Sequence, residues 1–168
     1  MGVHDHHIRA KWKDMVEVYM RFGNQGFDGN DHLLEGVLYH SSFNWEKIPA
    51  YYLSAYFQAR TREPLPLNEQ EQLLYDFLKS YSSHSCWPEK PASDLPVESS
   101  VVFRPTRVQI MAAQLARLDL DQALERYGIV GHNYLAWNKE TMRAHLRKVI
   151  DFWNEAAAHG EAVMHTEF

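Results

Sequence analysis

Four residues near the start of the chain, His4-Asp5-His6-His7, are of the types that hold transition metals. In an extended strand two imidazoles separated by one residue point the same way, so His4 and His6 could chelate zinc or a related ion. A catalytic centre would need ligands from elsewhere, and no His-x-x-x-His spacing of a helical face occurs in the chain. His4, His6 and His7 are therefore expected to form a polar terminus that grips metal adventitiously.

The other reactive arrangements are sparse. His84 and Cys86 resemble a Cys-His nucleophile but lack a third group to orient the base. Asp119, Asp121 and Glu125 pair carboxylates, yet a position at a helix start explains Asp119 and Asp121 through capping and the helix dipole. The sequence holds no phosphate-binding glycine loop, nucleophile elbow or dinucleotide fingerprint. These features imply no cofactor and no recognisable enzyme.

Aromatic residues point elsewhere. The chain carries 5 Trp, 9 Tyr and 8 Phe in 168 residues, more than one face of each element needs. Rigid aromatics with a polar tip are common anchors of protein interfaces. Tyr51, Tyr52, Tyr56, Trp87, Tyr134 and Trp137 are the candidates, joined by Glu89, Asp94 and Glu98 on the loop around Trp87.

Composition narrows the partner. The formal net charge is -5, with 17 basic and 22 acidic residues, and no basic run could neutralise a phosphate backbone. Nucleic acid is not expected, whereas a basic protein partner fits. One cysteine, Cys86, forms no internal disulfide. The first residues lack the features of a secretory signal, and no apolar run approaches the ~20 residues of a membrane span. A cytoplasmic address is the expectation.

The elements that would position these residues are mostly helices. A chain of this length suits one domain with an ample core. Apolar spacing at Ile8, Trp12, Met15, Val16, Tyr19 and Phe22 predicts one helix, stopped at Gly23. Leu33, Leu34, Val37 and Leu38 suggest a short helix weakened by Gly36. Pro49 starts a helix whose Tyr51, Tyr52, Leu53, Tyr56 and Phe57 cover most of its circumference. Asn68 and Glu71 form a capping box before Leu73, Leu74, Phe77, Leu78 and Tyr81. Residues 82–100, with three prolines and no periodicity, predict a long surface loop pinned by Trp87.

Beyond the loop, Val101–Phe103 reads as a strand and Pro105 opens a helix burying Val108, Met111, Ala112 and Leu115. Asp119 caps a helix over Leu120, Ala123, Leu124 and Tyr127 that stops at Gly128. Asn138 caps the longest helix, with Met142, Leu146, Val149, Ile150, Trp153 and Ala157 inward. The tail after Gly160 could pair with the 101–103 strand.

The closing third carries a familiar order of features: Val102-Phe103, Arg104-Pro105-Thr106-Arg107-Val108, Ala112 to Leu115, Leu118-Asp119, Tyr134 and Trp137. Phe152-Trp153-Asn154-Glu155-Ala156-Ala157 and Gly160-Glu161-Ala162-Val163 complete it. Residues 101–168 resemble the YfbM-like family of small bacterial proteins of unknown function. The resemblance implies a mixed, mostly helical domain with a small sheet, and it brings no catalytic residues.

The expectation is thus a single α+β domain over residues 1–168, predominantly α-helical. It has six or seven helices and a small sheet made by the C-terminal tail and the 101–103 strand. The functional expectation is a bacterial immunity-type protein that neutralises a cognate, basic toxin by direct contact. The alternatives are a metal-dependent enzyme using the His cluster and a regulatory domain with a small-ligand pocket.

Overall fold

The computed structural model describes residues 5–27, 41–45, 49–82, 87, 89–98, 100–128 and 138–167, excepting the side chains of 5, 6, 26, 27, 41–45, 49–52 and 167. Its centre is an antiparallel sheet built from both ends of the chain. The strands are β1 (Asp5–Ala10), β2 (Ser41–Trp45), β3 (Ser100–Phe103) and β4 (Ala162–Glu167), in the order β2-β1-β4-β3.

Six α-helices are described: α1 (Trp12–Phe22), α2 (Pro49–Arg60), α3 (Glu69–Tyr81), α4 (Pro105–Leu115), α5 (Leu120–Ala123) and α6 (Lys139–Ala158). The architecture is α+β and predominantly helical, as the sequence implies. The tail does pair with the 101–103 strand, Val163 opposite Phe103.

The sheet is larger than expected because the first helix starts later than its periodicity suggests. Ile8 lies in a strand opposite Met164 and Ser42, and α1 begins at Trp12. A strand covered on both faces has buried residues in succession, as His7 and Ile8 are. That run resembles the opening of a helix face until a neighbouring strand claims its amides.

Alternation sorts the strand residues between two cores. On one face Val101, Phe103 and Val163 join the main core of α2 to α6, where Trp153, Phe77, Tyr81 and Leu146 are buried. On the other, Ile8, Ala10, Val102, Ala162 and Met164 pack beneath Met15 and Val18 of α1, with Leu95 and Val97 from the long loop. The sheet is the middle layer.

Local signals set most helix ends. At α3 Asn68 Oδ1 accepts from the Glu71 amide at 2.7 Å, and Glu71 Oε1 accepts from the Asn68 amide at 3.2 Å. Asn138 caps α6 by accepting from the Thr141 amide at 2.8 Å. Pro105 occupies the first turn of α4, where its missing donor costs nothing. Gly23 and Gly160 take φ of 56° and 64° after α1 and α6, a region that favours glycine.

One helix is shorter than its pattern. α5 ends at Ala123, although Leu124 and Tyr127 beyond it are buried as expected. The expected helix over Leu33–Leu38 lies outside the described residues, as do His84, Cys86 and the turn from Tyr134 to Trp137.

Candidate functional site

The residues singled out for chemistry or contact separate by depth. Tyr56 and Trp87 are buried, at 2% and 5% exposure, and are core residues that present no face to a partner. Trp87 packs on Tyr75 and Phe57, with ring centres 5.7 and 6.5 Å away. Tyr51 and Tyr52 lie on the backbone of α2, with their side chains outside the described set. Tyr134 and Trp137 are likewise outside it.

Tyr56 belongs to a polar web at the junction of α2 and α3. Its hydroxyl donates to Glu71 Oε2 at 3.0 Å, and Arg60 Nε donates to the same oxygen at 2.7 Å. Arg60 also donates to the Leu65 and Pro66 carbonyls, at 3.0 and 3.1 Å, and to Glu63. Burial raises the Glu71 pKa, but hydrogen bonds from Arg60, the Asn68 amide and Tyr56, with the Arg60 charge, outweigh it and hold the carboxyl below its usual value. Burial and the Glu71 charge raise the Tyr56 phenol. With every group engaged, this web fixes the α2–α3 turn.

The long loop is less free than its composition suggests. The Asp94 amide donates to the Val102 carbonyl at 2.7 Å, and the Val102 amide donates to Ser93 Oγ at 2.9 Å. Ser93 and Asp94 thus cover the outer edge of β3, which would otherwise offer unpaired strand groups. Asp94 is further engaged by the Arg104 amide at 2.9 Å and by Arg107 Nη1 at 3.2 Å, so its charge serves the loop itself.

Where this loop passes α3 and α4 it leaves an open groove of about 770 Å³, lined by Asp76, Lys79, Ser80, Glu89, Lys90, Arg107 and Gln114 among others. Two of its cations lie over aromatic rings: Lys79 Nζ is 4.4 Å from the Tyr75 centroid and Arg107 Cζ is 4.7 Å from that of Phe103. Such seating restricts long side chains before any contact is made.

Glu89 and Glu98 are both exposed. Ile110 is 60% exposed and occupies the same stripe of α4 as Arg107 and Gln114. Sequence reasoning named Glu89 and Glu98 but missed Lys79, Arg107 and Ile110. The Arg107–Ile110–Gln114 spacing on the outward face of α4 is the signal that could have found Arg107 and Ile110, whereas Lys79 lies on α3 and carries no such signal.

His7 is not part of a polar terminus. It lies in β1, fully buried, against His165 of β4. His6 is also in β1, and His4 lies outside the described residues. Among residues with described side chains, no group of three or more His, Cys, Asp or Glu could hold a metal. None of the described helices is long and apolar enough to cross a membrane.

No protein-family model matches the chain, and no curated protein matches it. The solved structure of YfbM from Escherichia coli, described as a protein of unknown function, is similar with a TM-score of 0.52 at 8% identity. The match covers 98% of this chain and 99% of that one. The fold is therefore YfbM-like along the whole chain, not in the closing third alone. At that identity the likeness is one of fold.

Proposed function

We propose that the protein is a protein-binding module of the immunity type, which neutralises a cognate toxin by direct contact through the groove between α3, α4 and the long loop. The observation that carries this reading is the groove itself. It is open, its charged side chains include two held over aromatic rings, and an exposed isoleucine flanks it. An apolar anchor beside ordered polar groups is the anatomy of a contact surface rather than of a closed substrate pocket.

Glu89 in the groove lining and exposed Glu98 on the same loop would meet cationic side chains of a basic partner and speed its approach. The net charge of -5 supports a protein partner over nucleic acid. The alternative sequence reading, a metal-dependent enzyme using the N-terminal His cluster, would have to work without an accessible His7, which is buried.

The test compares three baits in a pull-down from native lysate: wild type, Ile110→Lys with Glu89→Lys, and Met20→Asp on α1, away from the groove. A protein retained by wild type and Met20→Asp, lost by the groove variant, and inhibited in its own activity by the purified chain is the expected outcome. Recovery of no such protein, or equal retention by all three baits, overturns the reading.

A further inference from the structure

The groove gathers its cations from three elements: Lys79 from α3, Arg107 from α4 and Lys90 from the long loop. Asp76 and Glu89 are the carboxylates of the same lining. Three cations against two carboxylates leave a local positive surplus on a chain whose formal net charge is -5. A concave surface of one sign concentrates ligands of the other.

Each cation is anchored by a contact that uses only part of its donor capacity. Arg107 Nη1 donates to the Ala92 carbonyl at 2.6 Å and to Asp94 Oδ2 at 3.2 Å, and Asp94 is shared with Arg104 Nε at 3.5 Å. Among the described residues no acceptor meets Arg107 Nε or Nη2, the two donors of one guanidinium edge. Lys90 Nζ donates to the Glu98 carbonyl at 3.1 Å, and Lys79 Nζ lies 3.4 Å from Asp76 Oδ1. An ammonium has three donors, so each lysine keeps two.

We infer that the groove is a binding site for a small hydroxylated phosphate monoester, of the sugar- or polyol-phosphate class. A guanidinium edge and two ammonium groups are the donor set for a dianion with three terminal oxygens, and exceed what one carboxylate would neutralise. Asp76 and Glu89, repelled by the phosphate, accept from the hydroxyls of the same ligand. The groove's volume of about 770 Å³ suits a small molecule rather than a bare ion. None of its described lining residues is aromatic, so no ring offers a stack to a nucleobase.

This inference goes beyond the docking reading and does not need it. Such a ligand would occupy the surface on which the protein partner is proposed to dock, so the two would exclude each other.

The experiment titrates the full chain with glucose 6-phosphate in about 0.15 M sodium chloride, by calorimetry and by nitrogen–proton correlation spectra that include the Arg107 Nε and Gln114 side-chain signals. Glucose, inorganic phosphate and succinate are the comparison probes. Saturable one-to-one binding of the sugar phosphate, movement of the Arg107 and Gln114 signals, weaker binding of inorganic phosphate and none of glucose or succinate are expected.

Lys79→Gln and Lys90→Gln should each weaken binding by about tenfold, the loss of one charge-assisted contact, while Arg21→Gln on α1 leaves it unchanged. Both lysines project from the surface, so neither variant depends on the contacts of Arg107 with the loop. No saturable binding overturns the inference. So does inorganic phosphate binding as tightly as the ester, which leaves an adventitious ion only, or succinate doing so, which leaves general anion attraction. Equal weakening by Arg21→Gln overturns it too. None of these outcomes alters the pull-down comparison, so the two readings fail separately.

Discussion

Arg60 and Glu71 form a two-pronged ion pair sealed from solvent. Nε donates to one carboxylate oxygen at 2.7 Å and Nη2 to the other at 2.9 Å, with both side chains at or below 1% exposure. Each charge is satisfied only by the other and by the groups around it. Glu71→Ala should therefore destabilise the protein by about 3–5 kcal/mol, because it strands a buried guanidinium. Urea denaturation checks this, and a loss below about 1 kcal/mol would show that the pair is dispensable.

The same carboxylate predicts a pH dependence. Glu71 is held below its usual range in the folded protein, while the unfolded chain titrates near ~4.3. The unfolded state then binds the proton first, so the stabilisation is complete above that value and is lost as pH falls through the folded value. Urea midpoints between pH 7 and pH 3 should fall more steeply for wild type than for Glu71→Gln. Parallel curves would assign the acid sensitivity to other groups.

Helix caps give smaller effects. Asn68 and Asn138 accept from backbone amides at the starts of α3 and α6, so replacing either by Ala should cost about 1 kcal/mol. Asn68→Ala should cost more than Asn138→Ala, because Glu71 in the same capping box also holds Arg60 and Tyr56. Thermal melts of the two variants test the order.

The strap over β3 predicts a local change. Ser93→Ala removes the acceptor of the Val102 amide, and Asp94→Ala removes that of the Arg104 amide. Native-state hydrogen exchange at these two amides should quicken by about tenfold or more, while the α6 amides keep their protection. Equal acceleration throughout would mean global rather than local loosening.

Much of this architecture was legible before folding. The Asn68–Glu71 box, the Asn138 cap, Pro105 at a helix start and the stops at Gly23 and Gly160 are read from a few neighbouring residues, since each satisfies backbone groups within about one turn. The inward faces of α3, α4 and α6 were also readable, because helical periodicity records burial directly. The pairing of the tail with Val101–Phe103 followed from two short apolar runs.

What tertiary structure decided is everything that depends on residues distant in sequence. The stretch from Asp5 to Ala10 carries no strand signal of its own, and it became a central strand only through β2 and β4. Glu71 reads as a cap, and only the return of α2 makes it the partner of a buried Arg60. The groove requires α3, α4 and the loop to meet, so Lys79, Lys90 and Arg107 look like ordinary surface charges until they do. His7 and His165 are 158 positions apart in the chain; pairing energy between strands, which local patterning does not encode, set them face to face.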